Sequence, residues 1–83
     1  MTGFILVALE PEKYNSFCEF CRERPRIISH YHVIGVFNAL LRFAVRGTRE
    51  LDELLSAIKR YGDSQTSVEL KTYFESKDIP MPE

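Results

Sequence analysis

Two stretches of this chain are apolar on both sides of an extended backbone, and they constrain the fold more than any other feature. Phe4 to Leu9 is an unbroken apolar run of six. That is short enough to be a buried strand rather than a buried helix. Phe4, Leu6 and Ala8 lie on one side, and Ile5, Val7 and Leu9 on the other. The stretch Val36 to Arg46 is nearly as apolar: Phe37, Ala39, Leu41, Phe43 and Val45 share one side, and Val36, Leu40 and Ala44 share the other. A sheet with one face in water should alternate apolar and polar residues. These strands do not, so both faces of their sheet need cover. An 83-residue chain, 45% hydrophobic, is too short to cover both by itself.

The elements between these runs define the topology. Glu10-Pro11-Glu12 suits a helix start: proline lacks the N–H that would go unpaired there, and Glu12 suits the positive end of the helix dipole. Tyr14, Phe17, Cys18 and Cys21 then fall on one helical face, and Pro25 stops the helix. Arg26 to Ile34 is predicted as a second strand. Gly35 is predicted as a tight hairpin into the third, Val36 to Arg46. Thr48 is predicted as the N-cap of a second helix, with Glu50, Asp52 and Glu53 in its first turn. Leu51, Leu54, Leu55 and Ile58 form its apolar stripe, and Gly62 is its predicted C′ residue. Ser64 to Phe74 alternates as a fourth strand. A tail at residues 76–83, containing Pro80 and Pro82, follows a domain spanning residues 1–75.

The order βαββαβ is an α+β, ferredoxin-like arrangement. Right-handed crossovers place both helices on one face of a four-stranded antiparallel sheet. The other face is left bare, and an identical chain is its simplest cover. A homodimer through the sheet faces is expected.

Composition excludes several functions. Eleven Lys and Arg against twelve Asp and Glu give a net charge of −1, so the chain is not expected to hold nucleic acid itself. No apolar run is long enough for a membrane span, and a signal peptide is not expected. Two cysteines make no disulfide scaffold. A cytoplasmic setting is expected. Cys18-x-x-Cys21 invites a zinc or redox reading, but the pair is expected mid-helix, away from the N-terminus that activates a thiol. His30 and His32 could complete four zinc ligands on paper, yet nothing in the pattern places their side of the strand near the thiols. No phosphate loop is present: Gly35 and Gly47 stand alone. Neither a metal nor a cofactor is expected.

The strongest binding candidate is Val33-Ile34-Gly35-Val36-Phe37-Asn38. Glycine lets the backbone turn and leaves its polar groups accessible. Asn38 adds a donor and an acceptor.

Here the sequence resembles the effector-binding (RAM) domain of the Lrp/AsnC transcription regulators. The family's run is Tyr-x-x-Thr-Gly-x-x-Asp-Tyr-Leu-Leu, then a basic residue. This chain reads Tyr31-His32-Val33-Ile34-Gly35-Val36-Phe37-Asn38-Ala39-Leu40-Leu41-Arg42. The resemblance runs from about Gly3 to Glu75 and includes Thr66-Ser67. It implies a non-catalytic domain that dimerises through its sheet and assembles further into tetramers or octamers. It also implies that an amino acid or related small molecule binds at an interface between dimers, at Ile34, Gly35, Val36, Phe37, Asn38, Thr66 and Ser67. Ile34, Asn38 and Ala39 depart from the family's Thr, Asp and Tyr, and Asn38 lacks the charge that would pair with an ammonium group. The DNA-binding helix-turn-helix would precede this domain, so the chain is expected to be the excised half of a longer regulator, with a stand-alone domain as the alternative. The rival function is a small cofactor-independent enzyme, a monooxygenase or isomerase, using His30, His32 and Asn38 in a closed cavity.

Overall fold

A computed structural model describes residues 1–77. β1 spans Thr2–Leu9, and a 3-10 turn at Pro11–Lys13 leads into α1, Tyr14–Glu23. β2 spans Ile27–His32, β3 Ala39–Ala44, α2 Thr48–Ile58 and β4 Gly62–Val68. The four strands form one antiparallel sheet in the order β2-β3-β1-β4. This is the ferredoxin-like βαββαβ arrangement expected from the sequence.

The core lies between the sheet and the two helices. Ile5 and Val7 of β1 pair with Leu41 and Ala39 of β3, and these four are buried together with Leu9. Phe17, Phe20 and Cys21 of α1 and Leu51, Leu54 and Ile58 of α2 close over them. Phe17 and Phe43 are fully buried, each stabilising the fold by about 2–3 kcal/mol. Tyr61, just after α2, ties the helix layer together, with ring centroids 5.2 Å from Phe17 and 5.1 Å from Phe20. In β1, Gly3 sits under the ring of Phe43, and an added Cβ would also strike the Ser67 carbonyl.

Several boundaries differ from the sequence pattern, each for a physical reason. The buried face of α1 is set by Phe17, Phe20 and Cys21, whereas Cys18 is exposed. The larger Phe20 turns the helix past the predicted Cys18 face, because it has more surface to bury. Gly47, not Thr48, is the N-cap of α2, and no side chain caps it. Glu50 instead accepts a hydrogen bond from the Arg46 amide at 2.9 Å. Gly62 is not a helix C′ residue: it opens β4 opposite Leu9. β4 ends at Val68 rather than Phe74, because its partner β1 begins at Thr2 and the ladder has nothing further to pair with. The predicted tail prolines, Pro80 and Pro82, lie outside the described residues.

The face away from the helices is open. Phe4 and Tyr31 are exposed on it, and Leu6, Ala8, Leu40 and Ala44 are half-buried. The doubly apolar strands therefore do leave one apolar face that the described residues do not cover. Arg42 lies among these residues, with its guanidinium 5.4 Å from the centre of the Phe4 ring.

Candidate functional site

The link between β2 and β3 is a loop, not a tight hairpin. The predicted strands reached Gly35 from both sides, but pairing stops at His32 and Ala39. The Val33 amide donates to the Asn38 carbonyl at 3.0 Å and closes the loop at its base. Gly35 has φ +157°, the only positive φ among the described residues. That backbone region is essentially restricted to glycine. Its neighbours Ile34 and Val36 are 105% and 86% exposed. Two large β-branched side chains thus stand in water at the tip, and Phe37 is half-buried below them.

Asn38 is the loop's anchor. Its Oδ1 accepts from the Leu9 amide at 2.8 Å, and its Nδ2 donates to the Leu9 carbonyl at 3.0 Å. Its own amide donates to the Val7 carbonyl at 3.1 Å. The side chain imitates a strand backbone and extends the β1–β3 ladder by one rung. That is why β3 begins only at Ala39. Both hydrogen-bonding ends of the Asn38 amide are engaged within the fold.

Thr66 and Ser67 lie elsewhere. In β4 they pair with Ile5 and Phe4 of β1, whereas the loop is tied to Leu9. Four residues of strand separate the two levels, about 13 Å. Successive strand side chains also point to opposite faces, so Thr66 faces the helices and Ser67 the open side. One chain does not bring the loop and this hydroxyl pair together around one small molecule.

The histidines face α1. His30 meets the edge of Phe17 at a centroid distance of 5.4 Å. Burial, and secondarily the neighbouring His32, lower its pKa from the ordinary histidine value. His32 Nε2 is hydrogen-bonded to the Tyr14 hydroxyl at 2.7 Å. The two residues do not share a cavity with Asn38. Their side of the strand does approach the thiols: Cys18, Cys21 and His30 line a shallow hollow of about 300 Å³. No pattern in the sequence predicted that approach, because it depends on how α1 lies across β2. Among the described residues no group of three or more His, Cys, Asp or Glu could hold a metal ion. Burial pushes the Cys21 thiol up to about 12, with Cys18 adding to it. A thiol held protonated is neither a nucleophile nor a ligand at neutral pH.

A depression of about 840 Å³ was not anticipated from sequence and opens to solvent between α2 and the turn after α1. Ala44, Val45, Leu54 and Ala57 line its floor. Its rim is a salt-bridge cluster in which Arg26 approaches Glu50 at 3.4 Å and Glu53 at 3.3 Å. The Arg46 amide, with Arg26 and Arg46 nearby, holds the Glu50 carboxyl below the usual carboxylate range. Among the described residues no helix is long and apolar enough to cross a membrane.

Residues 2–79 match the family described as the Lrp/AsnC ligand binding domain. This chain belongs to that family. Solved structures share the fold. TTHA0845 from Thermus thermophilus superposes with a TM-score of 0.78 at 19% identity, over 89% of this chain and 98% of that one. LrpC of B. subtilis gives 0.80 at 14% identity, over 92% of this chain and 54% of its own. An AsnC family transcriptional regulator from Agrobacterium tumefaciens gives 0.75 at 20%, over 95% and 56%. This chain therefore spans nearly all of one neighbour and about half of the other two. No curated protein matches this chain. The Agrobacterium neighbour is itself described as a transcriptional regulator.

Proposed function

We propose that this chain is the effector-binding and oligomerisation domain of an Lrp/AsnC-type transcription regulator. It acts in the cytoplasm without catalysing a reaction. The loop around Gly35 carries the proposal. A glycine-only backbone displays Ile34 and Val36 to solvent, a costly arrangement for an isolated protomer and a natural one for a loop that meets another copy. Two copies pair through the open sheet faces, where Phe4, Leu6, Leu40 and Tyr31 form the contact. Dimers then assemble into tetramers or octamers. The effector, an amino acid or a related small molecule, sits where Ile34, Gly35, Val36, Phe37 and Asn38 of one copy approach Thr66 and Ser67 of another. The intrachain separation of these groups supports a site shared between copies. DNA is contacted through a helix-turn-helix outside this chain, in keeping with its net charge of −1.

An enzymatic reading gains no support from the groups it would use. Asn38 is committed to Leu9, His32 to Tyr14, and His30 packs on Phe17.

Calorimetry and thermal melting against each of the twenty amino acids test the effector role. A ligand at 100 times its Kd stabilises the folded form by about 2.7 kcal/mol. At least one amino acid is expected to give heat and a raised Tm. Flat responses for all twenty at millimolar concentration would overturn the amino-acid part of the proposal.

A further inference from the structure

We propose that residues 69–77 form an arm that lies on the apolar sheet face of a second copy of this chain. The inference rests on the sheet-face pairing above and adds a second element to that interface.

The arm is written like a strand but has no strand to pair with. Leu70, Thr72 and Phe74 continue the alternation of β4. The last rung is the Glu69 amide donating to the Thr2 carbonyl at 2.8 Å, and β1 offers nothing beyond it. Past that rung Leu70 is 99% exposed, Tyr73 84% and Phe74 72%. Three large apolar side chains within five residues lie mostly in water. An isolated chain gains nothing from this pattern, and a polar tail would serve solubility better.

The root of the arm is held, so its direction is limited. Glu69 faces Arg42 at 3.8 Å and accepts from the Thr72 hydroxyl at 2.6 Å. Phe4, Arg42, Glu69, Thr72 and Phe74 line a shallow hollow of about 300 Å³ at the edge of the open face. The arm therefore leaves the protomer at the rim of the surface on which a second copy is placed. Among the described residues Leu70 is almost fully exposed. Arg42 Nε is buried there without a hydrogen-bond partner among the described residues.

The area fits a pair of this kind. The chain exposes 6575 Å². A compact monomer of 9.7 kDa exposes about 5,100 Å². The surplus exceeds the roughly 800 Å² per partner that a stable interface buries. In a two-fold pair each protomer would give its arm and receive the other's, an isologous exchange.

Sedimentation equilibrium on the full chain tests the arm alongside the pairing it depends on. The variant carries Leu70→Ser, Tyr73→Ser and Phe74→Ser together. These side chains are exposed in the protomer, so its circular dichroism should be unchanged. The dimer dissociation constant is expected to rise at least tenfold. A second readout places a benzophenone photo-crosslinker at position 73 in a mixture of isotopically heavy and light chains. Heavy-to-light crosslinks to peptides containing Phe4, Leu6 or Leu40 would support the exchange. Crosslinks within one chain only would overturn it, since the arm would then cover its own face. A dimeric wild type with an unweakened variant would overturn the arm and leave the sheet pairing standing. A monomeric wild type at micromolar concentration would overturn both.

Discussion

Asn38→Ala tests whether the loop is held as the structure shows. The substitution removes the acceptor for the Leu9 amide and the donor to the Leu9 carbonyl, at 2.8 and 3.0 Å. Both Leu9 groups are partly buried at the end of β1, and a methyl group cannot replace either partner. Each net hydrogen bond is worth about 1 kcal/mol, so the loss is about 2 kcal/mol. In a domain of this size 1 kcal/mol moves Tm by about 4–8 °C, which predicts a fall of about 8–16 °C. Melting followed by circular dichroism at one fixed protein concentration measures it, because self-association raises Tm by mass action. Asn38→Asp sharpens the test. An ionised carboxyl can still accept from the Leu9 amide but faces the Leu9 carbonyl without a proton to donate. The acid would be favoured in its neutral form when folded, so its pKa would rise above the unfolded value of about 3.9. The N38D protein should then lie closest to wild type at acid pH and lose stability as pH rises past that value. A Tm change under about 3 °C for Asn38→Ala, less than one hydrogen bond supports, would refute the anchoring role.

Three further outcomes follow from the same structure. Leu40→Asp puts a charge on the open face without touching the helix-facing core, and it should leave a folded monomer by sedimentation; an intact dimer would reject pairing through this face. His30 has a folded-state pKa lowered by burial, so its contribution is fully present above the unfolded value of about 6.5 and is lost as pH falls through the folded value. Urea midpoints at pH 7.5 and 5.0 should show this loss, and His30→Gln should remove part of it. Cys18 is exposed and Cys21 is buried with its thiol pushed up to about 12, so a thiol reagent should titrate one cysteine quickly and the second only on unfolding. Two fast thiols in the native protein would contradict the placement of α1.

The topology was legible because it rests on burial, which the sequence writes at fixed spacing. The stripe Leu51, Leu54 and Ile58 read as a helix and is one. The alternation of Ile5 with Leu6 read as a strand with two apolar faces, and one of those faces is open. What the sequence could not show were features decided between elements. Phe20 rather than Cys18 faces the core, because the sheet beneath α1 selects the bulkier side chain. β4 stops at Val68 because β1 begins at Thr2, a limit that lies more than sixty residues away in sequence.

The loop is the clearest instance of a local pattern overruled by a distant contact. Val33, Ile34, Val36 and Phe37 all favour extended backbone, and a glycine between such runs is a hairpin signal. A tight turn at Gly35 would draw residues 33–37 into the ladder and carry Asn38 along with it. Asn38 instead commits its side chain to Leu9 and its amide to Val7, in the neighbouring strand. Those three bonds set the level at which β3 begins and leave residues 33–37 outside the ladder. The glycine then serves a wider bend than a hairpin, at a φ its neighbours cannot adopt. Ile34 and Val36 are exposed as a consequence of where Asn38 is tied, not of any polarity of their own. The one residue of the candidate site most suited to bind a ligand is thus the residue that builds the platform, and the exposed tip it creates is the surface left free for recognition.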